Sequence, residues 1–338
     1  MNKSQQRHRM WFYTLILTPP LVLIFISVFL GRYPISVSEI FALLFSPFTG
    51  RNLDATHLSV IMYVRLPRVL LGAMVGGSLA VSGAAFQGLF RNPLVSSGML
   101  GVSSGAGFGA ALALILFKDF FYVYPFAFGF GLMAVFLCFF IGRMTASTQS
   151  ITLVLGGVIV GSIFSALISF LKYVADPFDE LPAIVFWLMG SLTRAEYSQI
   201  LTAGIPMVLG SGGLMVIRWR LNVLAMGDKE AQSLGIRVNI DRFFIIACAT
   251  LATAGAVCVS GVIGWVGLVV PHMGRMIIGN NNRDLIPVTF SMGATFLVLV
   301  DDISRLITSS EMPLGILTAL IGGPFFIYLL KQTKGREW

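Results

Sequence analysis

The sequence predicts an all-α membrane protein of about ten transmembrane helices, organised as a single domain over residues 1–338. Three observations predict it. Hydrophobic residues make up 56% of the chain and charged residues only 11%, against roughly 25% charged in soluble domains. Apolar runs of about 20 residues, long enough to cross a bilayer, recur along the whole length. Lys and Arg lie between those runs and favour one side of the implied bilayer, whereas Asp and Glu favour the other.

The runs fall near residues 10–30, 58–84, 94–116, 121–142, 151–172, 196–217, 243–263, 270–279, 286–304 and 313–330. The first follows a basic head of Lys3, Arg7 and Arg9, as a secretory signal would. Its apolar part exceeds the roughly 7 to 15 residues of a signal core, and no small-x-small cleavage pattern follows, so it reads as a retained helix. The second, third and fifth runs carry Gly72-x3-Gly76, Gly101-x3-Gly105-x3-Gly109 and Gly157-x3-Gly161. Such spacing lets helix backbones approach closely, either inside one subunit or across a dimer. Val81-Ser82-Gly83 in the second run recurs as Val259-Ser260-Gly261 in the seventh, which runs the opposite way, a faint sign of an inverted repeat. After the fifth run, an outer loop at 173–195 holds the apolar stretch Ile184–Met189, suited to a short interfacial helix. The eighth run is too short to cross alone. Its flank, Gly261 to Pro271, is rich in glycine, and irregular backbone at membrane depth is tolerated only where protein or a water-filled cavity covers it. That flank is a candidate pathway element.

With the N-terminus inside, the inner side collects Lys3, Arg7, Arg9, Arg91, Arg143, Lys229 and most other cations, so both termini are expected in the cytoplasm. The formal charge of +8 is scattered singly instead of forming a stripe, which argues against a nucleic-acid partner. Cys138, Cys248 and Cys258 lie inside apolar runs without ligand spacing and read as packing residues. No Gly-x4-Gly-Lys-Ser/Thr loop is present to cradle nucleotide phosphates, and His8, His57 and His272 form no His-Glu-x2-His pair. Apart from Asp301, Asp302 and Arg305 near an outer helix end, the spans hold almost no ionisable group, against a proton relay. The chain therefore reads as a transport subunit with no catalytic residue, no metal and no cofactor of its own. The rivals are a stand-alone secondary carrier and a membrane-embedded enzyme, the latter lacking any polar constellation.

The inner loop at 218–241 is the longest stretch without a spanning run and has the densest charge. Within it Glu230-Ala231 followed by Gly235 reads as a short helix stopped by glycine. Such a knob either fits a cleft on another subunit or is a solvated connector.

Over nearly its full length the chain resembles the FecCD-type permeases of binding-protein-dependent ABC importers for iron chelates and cobalamin. The resembling segments, in family order, are Arg65-Leu-Pro-Arg68, Gly83 to Leu94, Leu100 to Ala106, Trp187 to Leu192, Gly227 to Gly235, Gly267 to Arg275 and Glu311 to Phe325. The resemblance implies the type II importer architecture: a homodimer of ten-helix subunits in lipid, two ATP-binding subunits on the cytoplasmic side, and a periplasmic or lipid-anchored binding protein outside. ATP and Mg would belong to the partner ATPase. Gly227, Asp228, Glu230, Ala231, Leu234 and Gly235 would form the coupling element. Arg65, Arg68 and Arg305 match outer arginines that receive acids of the binding protein, with snorkelling or pairing to Asp301 or Asp302 as the alternative. Arg194 and Arg51 are weaker candidates of the same kind. The conduit would be lined by the fifth helix through Gly156, Gly157, Gly161, Ser162 and Ser165, unless those glycines serve packing. A cytoplasmic gate would involve Asn92, Leu94 and Ser150, where apolar Ile151 replaces a small polar residue found in some relatives. The implied cargo is a metal chelate, namely iron-siderophore, haem or cobalamin, with molybdate or tungstate as the alternative. The implied location is a bacterial or archaeal inner (plasma) membrane.

Overall fold

The structure, a computed structural model, describes residues 3–31, 33, 35, 55–144, 150–308 and 310–332. Among the described residues every regular element is helical. In chain order the helices are α1 (Lys3–Phe29), α2 (Ala55–Phe90), α3 (Val102–Phe117), α4 (Phe120–Met144), α5 (Ser150–Val174) and α6 (Glu180–Met189). There follow α7 (Tyr197–Met226), α8 (Asp228–Ser233), α9 (Val238–Ser260), α10 (Val266–Ile278), α11 (Asn282–Ile307) and α12 (Leu314–Gln332). Six of these are long and apolar enough to span a membrane on their own. With α1, α3, α10 and α12 they make the ten-helix membrane bundle that the composition predicts, and α6 and α8 are the short additions in the two large loops.

Helix α2 is the axis of the bundle, packed by α7, α9, α10 and α11. Its 36 residues rise about 1.5 Å each, roughly 54 Å against a hydrocarbon core of about 30 Å. A π-helical stretch, Val60–Arg65, interrupts it near its N-terminal end. The two most buried spans are α2 and α9, the pair that carries the antiparallel Val-Ser-Gly echo.

Between helices in lipid there is no hydrophobic drive, so close backbone approach has to hold them together. A Cβ on Gly76 would strike the Gly293 carbonyl of α11, and one on Gly293 would strike the Gly76 carbonyl. Likewise Gly105 and Gly109 of α3 admit the Phe130 and Phe126 carbonyls of α4. The glycine spacings therefore serve packing inside the subunit. Most of the apolar core lies in two large clusters, one around Leu71, Leu79, Leu114 and Leu297 and one around Phe86, Leu100, Leu153 and Ile245, with a small third one of Val69, Ala73, Ala294 and Val298. All three cysteines are free and buried within them.

The third span begins at Val102, later than the hydropathy suggests. Pro93 and the left-handed Gly101 (φ 86°) hold residues 91–101 as a turn before the helix can start. Helix α10 has 13 residues, only about 20 Å, and the non-helical segment 261–265 precedes it.

In the turn into α6, the Asp176 carboxylate accepts from the Phe178 and Asp179 amides (2.9 and 3.0 Å), and Glu180 accepts from the Asp176 amide (3.1 Å) while pairing with Lys118. Those amides hold the Asp176 carboxyl below its ordinary range; the Asp176 amide, with Lys118, does the same for Glu180. Both shifts are downward, so the stabilisation is complete above the unfolded values and is lost as pH falls through the folded ones. Hydrogen-exchange protection of the Phe178 and Asp179 amides is expected to hold near neutrality and collapse below about pH 4. Unchanged protection in that acid range refutes the assignment.

Candidate functional site

The predicted site residues fall at the two ends of the bundle and along α5. At the acidic end Arg65, Arg68 and Arg305 are only 4%, 7% and 6% exposed. Arg65 donates to the carbonyls of Val28, Phe29 and Tyr33 (2.8, 3.2 and 2.6 Å). Arg68 forks onto Asp301 (Nε to Oδ2 3.0 Å, Nη2 to Oδ1 2.8 Å) and onto Glu311 (Nη2 to Oε2 2.9 Å). Arg305 pairs with Asp301 (3.2 Å) and with Asp302, and donates to Ser27 and the Leu30 carbonyl. The donors of these three arginines are used inside the chain: those of Arg65 on backbone carbonyls, those of Arg68 on Asp301 and Glu311, and those of Arg305 on Asp302, Ser27 and the Leu30 carbonyl. A low-dielectric end of a helix bundle cannot leave guanidinium groups unpaired, and Asp301 and Asp302 lie one turn from Arg305 on the same helix. The weaker candidate Arg194 is exposed, its guanidinium 3.4 Å from the centre of the Phe120 ring, beside a cavity of about 410 Å³. Arg51 lies outside the described residues.

Helix α5 divides into two faces. Gly156 packs on Cys138, and a Cβ on Gly157 would strike the Met99 carbonyl, so both are buried. Both pack against other parts of the subunit, because a 3.6-residue repeat turns them away from the open face. That open face carries Leu155, Val158, Ile159, Ser162, Ile163 and Ser165, with Gly161 at its edge, where an added Cβ would lie 3.7 Å from the Ser104 hydroxyl. Ser162 donates back to the Val158 carbonyl (2.8 Å), which leaves the face mainly apolar. The side chains of Ser150 and Ile151 lie outside the described residues.

At the basic end the gate residues sit in a tight turn. Asn92 accepts through Oδ1 from the Leu94 amide (2.9 Å), and the Leu94 side chain is exposed. Sequence reasoning missed the group that holds this turn. Buried Gln87 donates to the Val95 carbonyl (3.0 Å) and accepts from Arg275 of α10 (2.6 Å), tying turn, α2 and α10 together. Its only signal in the sequence is its place within the family-like segment 83–94.

Helix α8 is a knob. Gly227 (φ 138°) opens it, Ala231 is fully buried beneath it, and Gly235 (φ 81°) closes it with open space around the position. Lys229, Glu230 and Gln232 are exposed, and Leu234 shows 61% of its surface. Asp228 is tied inward to Arg242 of α9.

At the other end of α9 the glycine-rich flank is irregular, as expected. Gly190, Gly261 and Trp265 all have positive φ (76°, 68° and 68°). The Ser191 amide donates to the Ser260 carbonyl (2.8 Å) and the Leu314 amide to the Gly190 carbonyl (3.0 Å), so the ends of α6 and α9 meet the start of α12. Among the described residues no group of three or more His, Cys, Asp and Glu side chains is placed to hold a metal ion.

A sequence model of the FecCD transport family matches residues 18–332. The chain belongs to the FecCD transport family. Among its FecCD relatives, the molybdate import system permease protein MolB of Haemophilus influenzae is 40% identical over 309 residues, 91% of this chain and 92% of the relative. A probable iron chelatin transport system permease protein of Helicobacter pylori is 40% identical over 285 residues, 84% of this chain and 86% of the relative. A solved metal-chelate type ABC transporter in an inward-facing conformation superposes with a TM-score of 0.86 at 37% identity, covering 96% of this chain and 99% of that one. The matched region therefore includes nearly all of the bundle.

Proposed function

We propose that this chain is the permease subunit of a binding-protein-dependent ABC importer that carries a metal chelate, namely an iron-siderophore, haem or cobalamin. Two copies would enclose a conduit between their α5 faces in a bacterial or archaeal inner membrane, with both termini cytoplasmic. Two separate ABC subunits would bind ATP and Mg and dock on the α8 knobs, and a periplasmic or lipid-anchored protein would deliver cargo at the acidic end. The observation that carries the reading is the superposition on a metal-chelate type ABC transporter over nearly both whole chains.

The geometry supports a division of labour. The apolar α5 face gives a bulky, shape-diverse cargo few strong contacts, which suits passage more than retention. Its movement is left to rigid helices, and the positive-φ junctions at Gly190, Gly261 and Trp265 supply hinge points at their ends. A molybdate cargo is the second reading, favoured by the 40% identity to a molybdate permease over nine-tenths of both chains.

The test is ATP-dependent uptake in proteoliposomes holding this chain with its ABC subunit and binding protein, offered ferric siderophore, haem, cobalamin or molybdate. Uptake of an organic chelate is expected. Uptake of molybdate alone transfers the cargo to the second reading, and uptake without the ABC subunit refutes the importer.

A further inference from the structure

Residues Asp241 and Arg242 are adjacent in the first turn of α9, both buried, and each holds an oppositely charged residue of a different element. Arg242 donates from Nη2 to both carboxylate oxygens of Asp228, at 2.9 Å each. Asp241 accepts from Arg220, near the end of α7. Asp228 is the first residue of α8, and Arg220 precedes α8 by two turns of chain. The knob is therefore bracketed: α7 enters it, α8 forms it, and α9 grips both through neighbouring side chains.

We infer that Arg242 is a positioning residue of the transport cycle, clamping the α8 knob to α9 so that a displacement of α8 is passed to α9 as a rigid rod. This rests on the proposed docking of an ABC subunit on α8. Without the clamp, α8 is joined to its neighbours by Gly227 on one side and by Gly235 on the other, both in backbone conformations that side chains rarely adopt. Glycine permits backbone rotation that other residues resist, so a push on α8 is passed on less directly through those joints than through the ion pair. Ion pairing of Asp228 bypasses both joints. Helix α9 is unbroken over 23 residues and ends at Ser260, whose carbonyl holds the Ser191 amide beyond α6. The rod thus runs from the knob to the irregular junction at the acidic end.

The pair is asymmetric. The Arg242 side chain is 7% exposed and that of Asp228 44%. Removing Arg242 leaves a carboxylate that water can solvate, so Arg242→Gln should leave the fold intact; removing Asp228 leaves a buried guanidinium without that carboxylate.

The experiment uses the full complex of permease, ABC subunit and binding protein in proteoliposomes, with uptake read per ATP hydrolysed. Arg242→Gln is expected to assemble normally and hydrolyse ATP while uptake per ATP falls at least about tenfold, the factor matching loss of one charge-assisted hydrogen bond. Asp228→Arg, which sets a second cation against buried Arg242, should impair assembly as well as coupling, and the double variant Asp228→Arg with Arg242→Asp should recover both. Spin labels at Lys229→Cys and Asn239→Cys, both exposed, should give a narrow distance distribution that broadens in Arg242→Gln and narrows in the swap. Wild-type coupling in Arg242→Gln, or an assembled swap without recovery, overturns the clamp. Glu230→Ala with Gly235→Val separates the two ideas: if this knob variant also stays coupled, the α8 docking reading itself is overturned.

Discussion

Asp301→Ala is expected to destabilise the protein by about 3–5 kcal/mol, the cost typical of breaking a buried ion pair from one side. Asp301 is 2% exposed and faces both Arg68 and Arg305. Its removal leaves two guanidinium groups close together with one fewer carboxylate between them, in a region where water cannot replace it. Arg68 would retain Glu311, and Arg305 would retain Asp302. Neither acid bridges the two cations, so the link between α2 and α11 made by Asp301 is lost. Glu311→Gln should cost less, because the Glu311 side chain is 24% exposed and Arg68 keeps Asp301. Thermal melts of purified protein in one detergent, followed by size exclusion, give the ranking. An Asp301→Ala variant that melts with the wild type sinks the network as a stabilising element.

Gly83→Val is expected to be worse than ordinary overpacking, which costs roughly 1–3 kcal/mol. A Cβ at Gly83 would run into the Gly267 carbonyl, and the Gly267 Cα would lie 2.7 Å away. The obstacle is backbone at the start of α10, so no rotamer change relieves it. Relief requires α2 and α10 to separate, which would also strain the Gln87 bonds to Val95 and Arg275. Gly212→Ala is the matched control: the same glycine loss in α7 meets no atom within 4 Å, and should stabilise by about 0.4–1 kcal/mol through the unfolded chain. Comparable yields of monodisperse protein from both variants would show that the α2–α10 contact tolerates separation.

Helix number and order were legible because each span is a nearly unbroken apolar run, and in a bilayer that pattern leaves the backbone few alternatives. The α8 knob was legible for a local reason, a short polar helix closed by Gly235. The faces of α5 were not, since small residues at 156, 157, 161 and 162 permit either packing or lining, and only the neighbours Cys138 and Met99 decide. Arg65, Arg68 and Arg305 were equivocal for a related reason. Their excess on the acidic side implies a partner but not its source, and the acids that satisfy Arg68 are more than 200 residues away in sequence, at separations of 233 and 243. The Arg242–Asp228 clamp spans only 14 residues, yet the sequence around it offers several other acids and cations at similar reach.

Helix α1 ends with carbonyls that no residue of its own can satisfy. Val28 and Phe29 are met by Arg65 of α2, and Leu30 by Arg305 of α11, 275 positions further on. This end of α1 is therefore completed only by donors from α2 and from α11, the latter 275 positions further along the sequence. The bundle is in this sense a closed ring: α11 seals the end of α1, and without α11 the Leu30 carbonyl would lose its Arg305 donor.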